Sequence, residues 1–211
     1  MASVGRLHVL TTDAYGGAID HLEIARESLA GGADTIQYRA KADGSKLTEP
    51  RLLELIDLSR RYEATLLVND DVGLAARYGL GVHLGAGDVN PMEARRRLGA
   101  RACIGFTVHD AREARYSREL PVDYVGVGPV FGSTSKPSAG PALGLDGLAR
   151  IVGEVQVPVI AIGNIRVESV RAVLAAGAYG VAVGAAVAAA ANRRDATRAL
   201  SDTMGVRETL P

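Results

Sequence analysis

The sequence has one cysteine, no long apolar run and no excess of charge of either sign. Cys103 lies in the apolar run ARACIGF, so a disulfide framework is excluded and we expect a buried, unreactive thiol. Lysine plus arginine and aspartate plus glutamate number 24 each, which argues against nucleic acid or a membrane surface as a partner. No run is long enough for a signal peptide or a bilayer crossing, and the default expectation is a cytoplasmic protein.

Apolar residues and glycine are plentiful instead. Hydrophobic residues make up 47% of the 211 residues, and most of the 25 glycines stand at the ends of apolar runs. Short length, β-branched content and bounding glycines predict that these runs are buried strands. There are eight of them, at residues 6–12, 34–39, 64–70, 80–85, 102–108, 123–128, 157–164 and 179–186.

Segments with helical spacing separate the runs, and Gly31, Gly153 and Gly177 stand near predicted helix ends. Eight strands alternating with about eight helices predict an α/β fold, a (β/α)8 TIM barrel, as a single domain over residues 1–211. A doubly wound open sheet is the alternative, but the strand count reaches eight and no G-x-G-x-x-G follows the first strand. We expect a C-terminal tail after about residue 204. The sequence leaves monomer and homodimer open.

In such a barrel the chemistry lies at the carboxyl ends of the strands. Gln37, Arg39 and Lys41 alternate at the end of the second strand, so a period of two places all three on the barrel interior. A positive charge in the barrel interior costs free energy unless an anion lies next to it. The pattern therefore predicts a phosphate or diphosphate site. A structural ion pair with Asp13 or Asp70 is the alternative.

Two carboxylates follow adjacent strands, the third and the fourth. Asp70 and Asp88 are expected to converge beside the phosphate-binding cations, and such a set suits Mg²⁺. The alternative for Asp88 is a helix cap ahead of Pro91, and it could do both. Asp71 is interpreted as the cap of a helix that begins at Val72.

The last two strands end in glycine, at Gly163 and Gly184. Their backbone N–H groups could hold a second phosphate at helix N-termini, although each glycine taken alone is explained by a turn requirement. Thr107 can donate a hydrogen bond to a substrate if it faces inward, and His109 is a candidate acid or base or a structural group.

The remaining histidines and one long loop complete the sequence-based predictions. We interpret His83 as a core or supporting residue, and His8 and His21 as structural or exposed. A lid loop is expected at about residues 129–141, in the stretch GVGPVFGSTSKPSAG. The hydroxyls and the lysine of this loop suit the binding of an anion, and the residues that carry them are Ser133, Thr134, Ser135 and Lys136. The alternative is a flexible surface connection.

Together these residues resemble a known family, over roughly residues 7–190. The similarity is to thiamine phosphate synthase and its relative, the thiazole tautomerase TenI, and is closer to the synthase. It rests on TIQYRAK, LLVNDDVGLAARYGLGVHLGAGD, IGFTVHDAREA, DYVGVGPVFGSTSK and VPVIAIGNIRVESVRAVLAAGAYGVAVGAAV.

The resemblance implies an Mg²⁺-dependent coupling of hydroxymethylpyrimidine diphosphate with thiazole phosphate, which releases pyrophosphate through a pyrimidine carbocation. It also implies roles for the residues. The diphosphate would be held by Gln37, Arg39, Lys41 and Lys136, and the pyrimidine or diphosphate by Asn69. Magnesium would be bound by Asp70 and Asp88. The thiazole phosphate would be bound by Gly163, Gly184 and Ala185. Thr107, Ser133 and Ser135 would line the site, with Lys136, Arg39, Thr107 and His109 as the catalytic candidates.

Four departures from the family pattern stand out. Ala40 replaces a glutamate, and serines replace both lid threonines while keeping their hydroxyls. Asn164 replaces a glycine and Ala185 a serine, so the thiazole-phosphate half is altered. A metal-independent tautomerase that uses His109, or a non-catalytic barrel that binds thiazole phosphate, are the alternatives. The tautomerase would leave the carboxylate pair and the diphosphate cations without a role, and the non-catalytic barrel would bind phosphate without turnover.

Overall fold

The computed structural model describes residues 4–12, 20–40, 46–133 and 140–205. Eight parallel strands form a closed barrel in chain order, with β8 pairing to β1, which confirms the predicted (β/α)8 architecture. Each strand falls inside one of the eight predicted runs. The strands are β1 (Leu7–Thr12), β2 (Thr35–Arg39), β3 (Thr65–Asn69), β4 (Gly81–Leu84), β5 (Ile104–Val108), β6 (Tyr124–Val127), β7 (Val159–Ile162) and β8 (Gly180–Val183).

Helices surround the barrel and follow each strand in turn. Within the described ranges they are α1 (His21–Ala30), α2 (Glu49–Arg61), α3 (Val72–Tyr78), α4 (Pro91–Leu98), α5 (Ala111–Ser117), α6 (Gly144–Val152), α7 (Val167–Ala175), α8 (Ala185–Ala188) and α9 (Arg193–Met204). None of these helices combines the length and the apolar character that a bilayer crossing requires. Residues 206–211 of the predicted tail lie outside the described residues.

Side chains at the helix starts explain where two of these helices begin. The Asp71 carboxylate accepts a hydrogen bond of 2.8 Å from the Leu74 N–H, which confirms Asp71 as the cap of α3. The cap of α4 is Asn90, whose side-chain oxygen accepts from the Met92 N–H at 2.8 Å. The alternative assignment of Asp88 as that helix cap is therefore wrong.

Two apolar layers hold the fold together. The larger lies between the barrel and the helices, and the smaller fills the barrel interior below its carboxyl-end mouth. The interior layer consists of Leu10, Leu67, Cys103, Tyr124, Ile160 and Ala182. Burial raises the pKa of the Cys103 thiol to about 12, so the thiol stays protonated at neutral pH, as expected for a buried, unreactive cysteine.

A partly buried ion pair closes the amino-terminal end of the barrel. Arg95 on α4 contacts Asp123 at 2.7 Å, and the side chains are only 20% and 13% exposed. The same guanidinium donates to the Ala102 carbonyl at 2.7 Å and to the Pro121 carbonyl. Asp123 also accepts from the Ile104 N–H at 2.8 Å. We call this group of contacts the basal clamp, since it ties α4 to the starts of β5 and β6.

A buried histidine lies deep in the barrel on β1. His8 is 1% exposed, which rules out the exposed alternative, and its Nε2 donates to the Gly5 carbonyl at 3.0 Å. Its ring meets the Tyr124 ring edge-on, with centroids 5.1 Å apart. Burial lowers the pKa of His8 to about 4, against the opposing field of Asp34.

We expect His8 to make stability fall with acidity in a defined window. Between pH 6.5 and pH 4 the unfolded chain binds a proton at this residue and the folded chain does not, so folding weakens by about 3 kcal/mol. His8→Gln retains an N–H donor and cannot be protonated. Urea unfolding of both proteins across this range should show a shallower pH slope for the variant, and parallel curves would contradict the assignment.

Candidate active site

A cavity of about 460 Å³ opens at the carboxyl ends of the strands, a size typical of small-molecule sites. It brings together residues that the sequence places at every strand end from β2 to β8. They are Gln37, Arg39, Asn69, Asp70, Asp88, Thr107, His109, Ser133, Gly163, Gly184 and Ala185. Lys41 lies outside the described residues, as do residues 134–139 of the predicted lid loop, which include Ser135 and Lys136.

The amide and cation of β2 face this cavity, as the predicted alternation requires. Gln37 is 4% exposed, and its Nε2 donates to Asn69 Oδ1 on β3 at 2.7 Å. This hydrogen bond fixes the orientation of both side-chain amides, so the pair presents defined donors and acceptors to a ligand. Arg39 lies two residues further along β2 and lines the same wall.

The two carboxylates line the same cavity from the loops after β3 and β4. Asp70 has a left-handed backbone, with φ of 67°, and its N–H donates to the His83 carbonyl at 2.9 Å. Asp88 Oδ2 accepts from the Gly85 N–H at 2.7 Å, which closes the turn after β4 and holds the carboxylate in place. This bond, rather than a helix cap, accounts for the local role of Asp88.

The chemistry of this donor set fits magnesium. Mg²⁺ prefers hard oxygen ligands and usually binds through one or two carboxylates together with substrate phosphate oxygens and water. Within the described residues no group of three or more histidine, cysteine or acidic side chains could hold a metal by itself. Asp70 and Asp88 would therefore complete a magnesium site only with oxygens from a bound substrate.

The loop after β7 approaches the loop after β6 closely. Gly163 has φ of 113°, and a Cβ there would lie 2.7 Å from Pro129 Cα and from the Val130 nitrogen. The turn requirement is thus a sufficient reason for this glycine. Asn164 also lies in the left-handed region, at φ of 46°, which asparagine tolerates, and its Nδ2 donates to the Phe131 carbonyl at 3.3 Å.

His109 lies at the rim, and its contacts are to its own helix start. Its Nδ1 is 3.0 Å from Glu113 Oε2, and its backbone N–H donates to the same oxygen at 2.7 Å. Asp110 caps α5 by accepting from the Glu113 N–H at 2.7 Å. The imidazole lines the cavity with a carboxylate behind it, an arrangement that orients the ring and that serves a structural role equally well.

The floor of the cavity contains a hydrogen-bonded group that the sequence analysis did not single out as a unit. His83 Nδ1 lies 2.8 Å from the Tyr124 hydroxyl, and His83 Nε2 lies 2.9 Å from Thr107 Oγ1. His83 supports Thr107, as its interpretation as a supporting residue predicts, but it also lines the cavity. The only sequence feature that could have indicated it is a glycine in each of β5 and β6, Gly105 and Gly126, whose missing side chains leave room for the rings of Tyr124 and His83.

Comparison with known proteins gives one consistent result. A sequence profile of the family described as thiamine monophosphate synthase matches residues 7–187. A thiamine-phosphate synthase from Salinibacter ruber is 44% identical over 198 residues, which cover 92% of this chain and 86% of that protein. One from Chloroflexus aurantiacus is 37% identical and covers 96% of this chain and 94% of its own.

A solved structure agrees with the sequence matches. The thiamine phosphate pyrophosphorylase from Pyrococcus furiosus superimposes with a TM-score of 0.79 at 32% identity, covering 95% of each chain. The similarity therefore extends over nearly the whole chain.

Proposed function

This chain belongs to the thiamine monophosphate synthase family, and from that premise we propose how its cavity performs the synthase reaction. The chain would join hydroxymethylpyrimidine diphosphate to a thiazole phosphate and release pyrophosphate. One observation carries the proposal. A single cavity contains a cation and paired amides, two carboxylates and the glycine-bounded ends of β7 and β8. These small phosphorylated molecules would be its partners, in the cytoplasm.

The diphosphate would bind on the β2 and β3 side. Arg39 supplies a permanent positive charge, and a guanidinium matches phosphate oxygens with two parallel hydrogen bonds. Gln37, already joined to Asn69 by a 2.7 Å bond, would hold the diphosphate as well, and Asn69 would hold the pyrimidine or the diphosphate. From the sequence we assign Lys41 and Lys136 to the same diphosphate and Ser135 to the lining of the site. Ser133 lines the cavity wall.

Asp70 and Asp88 would hold the magnesium ion of the reaction. When bound, the ion would neutralise charge on the departing pyrophosphate. The protein's own contribution is to keep both carboxylates at the cavity wall, Asp88 by its bond from Gly85 and Asp70 by its left-handed turn. Without that fixation, two carboxylates would have to be reoriented on every catalytic cycle.

The thiazole phosphate would bind on the opposite side, against the ends of β7 and β8. Gly163, Gly184 and Ala185 line this part of the cavity and offer backbone N–H groups with little side-chain bulk. Asn164 keeps the left-handed backbone of the glycine it replaces, so its substitution does not require a different loop. Ala185 lacks the hydroxyl of a serine, so the phosphate would depend on backbone donors there.

In this mechanism the protein positions two substrates and stabilises departing charge. The bond between the pyrimidine methylene and the diphosphate oxygen breaks, and the thiazole nitrogen attacks the resulting cation. Arg39 and Thr107 would stabilise charge and hold the substrate. His109 is not needed as an acid or base in this mechanism, and its Nδ1 contacts Glu113.

The test is pyrophosphate release by the purified protein. We expect release only when both substrates and Mg²⁺ are present, and its loss when EDTA is added. Omitting either substrate is the internal control, since simple hydrolysis of the pyrimidine diphosphate would not need the thiazole. No release, together with tight binding of thiazole phosphate alone, would reject the synthase in favour of a tautomerase or a binding protein.

A further inference from the structure

Three side chains form a hydrogen-bonded chain across the cavity floor, and we propose that this chain fixes the direction in which Thr107 donates its hydroxyl proton. Tyr124 and His83 would be positioning residues, because they act on the substrate only through Thr107. The distances are 2.8 Å from the Tyr124 hydroxyl to His83 Nδ1 and 2.9 Å from His83 Nε2 to Thr107 Oγ1. The inference deepens the proposed function and rests on it for the substrate's identity.

The direction of the chain follows from Tyr124. Its side chain is 1% exposed, and burial raises the pKa of its hydroxyl well above the ordinary 10, so the hydroxyl keeps its proton. Within the part of the chain that the structure describes, His83 Nδ1 is the hydrogen-bond partner of that hydroxyl. A buried proton with no acceptor is costly, so the phenol donates and Nδ1 accepts.

The tautomer of His83 is then determined. An imidazole whose Nδ1 accepts a hydrogen bond is neutral and carries its proton on Nε2. A doubly protonated ring would place a second donor against the phenol and leave the phenol proton without an acceptor. The Nε2–H group therefore donates to Thr107 Oγ1, which accepts.

Thr107 accepts a hydrogen bond from His83, so its own hydroxyl proton is available for a different acceptor. No other hydrogen-bond partner of Oγ1 is present within the described ranges, and Thr107 lines the cavity. Its hydroxyl is thus set to donate into the cavity. The ligand group that takes up this proton is an acceptor, such as a phosphate oxygen or an unprotonated ring nitrogen.

Two glycines leave space inside the barrel for the rings of Tyr124 and His83. A Cβ on Gly105 would lie 2.1 Å from Tyr124 Cζ, and one on Gly126 would lie 3.0 Å from His83 Cε1. Two inward positions thus carry no side chain, and the rings occupy that space. Aliphatic residues could fill the same volume without any hydrogen bond to satisfy. The polar pair therefore has a role beyond packing, which is to orient Thr107.

The tautomer can be measured without substrate. The chain has four histidines, so ¹⁵N NMR of histidine-labelled protein gives few signals, and His83→Gln identifies those of residue 83. We expect wild-type His83 to be neutral and protonated on Nε2, and Tyr124→Phe to lose that preference. A ring protonated on Nδ1 in the wild type, or an unchanged tautomer in the variant, would overturn the proposal.

Kinetics test the link to Thr107. Tyr124→Phe should lower kcat/KM for pyrophosphate release about tenfold, since one oriented hydrogen bond is lost. The matched control is Tyr179→Phe, which removes a hydroxyl bonded to the Val4 carbonyl at the opposite end of the barrel and should change nothing. Thr107→Val should be at least as damaging as Tyr124→Phe.

A double-mutant cycle completes the test. If Tyr124 acts through Thr107, the double variant should be no slower than Thr107→Val alone. Fully additive losses would show that Tyr124 has another role and would reject the chain. If the wild type releases no pyrophosphate, the proposed function fails, whereas the tautomer measurement still decides on the hydrogen-bonded chain.

Discussion

Asp88→Asn is expected to slow pyrophosphate release by about 10²–10³-fold while leaving the fold intact. The substitution removes the charge of a carboxylate that would hold magnesium, but its side-chain oxygen can still accept from the Gly85 N–H. The turn after β4 should therefore survive, and the loss should come from the missing charge. Raising the Mg²⁺ concentration should recover part of the activity, because the variant binds the ion more weakly.

Asp71→Asn is the matched control for this experiment. It removes the same charge from a neighbouring loop, yet Asp71 is exposed and caps α3, a role that asparagine performs equally well. Activity close to that of the wild type is expected. Normal turnover by Asp88→Asn, or an equal loss in both variants, would contradict the assignment of Asp88 to the metal.

Arg95→Met should lower the free energy of unfolding by about 3 kcal/mol. The variant leaves Asp123 partly buried without its cation, and the carbonyls of Gly99, Ala102 and Pro121 lose their donor. Urea unfolding followed by circular dichroism measures the change. Pyrophosphate release below the unfolding transition should stay normal, because the basal clamp lies at the end of the barrel opposite to the cavity.

Arg96→Met, on the same helix, is the control. It tests whether the loss of stability comes from the burial of the broken ion pair or simply from the loss of a positive charge. Arg96 pairs with Glu93 three residues away, but these side chains are 75% and 42% exposed. Exposed pairs contribute little, so a loss below about 1 kcal/mol is expected. Comparable losses in the two variants would show that the helix, rather than the basal clamp, responds to the missing charge.

The fold was predictable from the sequence because both faces of a parallel barrel strand are buried. Such strands read as short apolar runs, and the glycines around them mark where the chain turns. The run at residues 34–39 became β2 over Thr35–Arg39, and the run at 157–164 became β7 over Val159–Ile162. The alternation of Gln37 and Arg39 likewise predicted which face they occupy, since side-chain direction in a strand has a period of two.

The parts that were not predicted depend on contacts between distant residues. Tyr124 and His83 meet across the barrel although 41 residues separate them, and no local periodicity reports that contact. The cap of α4 was missed for a different reason. Asp88 and Asn90 are both residues that cap helices well, but Pro91 is the first helical residue, and the residue directly before it is Asn90.

The position of the basal clamp bears on how this chain can change over generations. Arg95 and Asp123 secure the barrel at one end, and the polar residues that face substrate stand at the other. A mutation at the mouth therefore lowers the free energy of unfolding only slightly. The variant still folds, so selection can act on its altered function. Asn164 stands at such a position, in a loop whose left-handed backbone a glycine would also adopt.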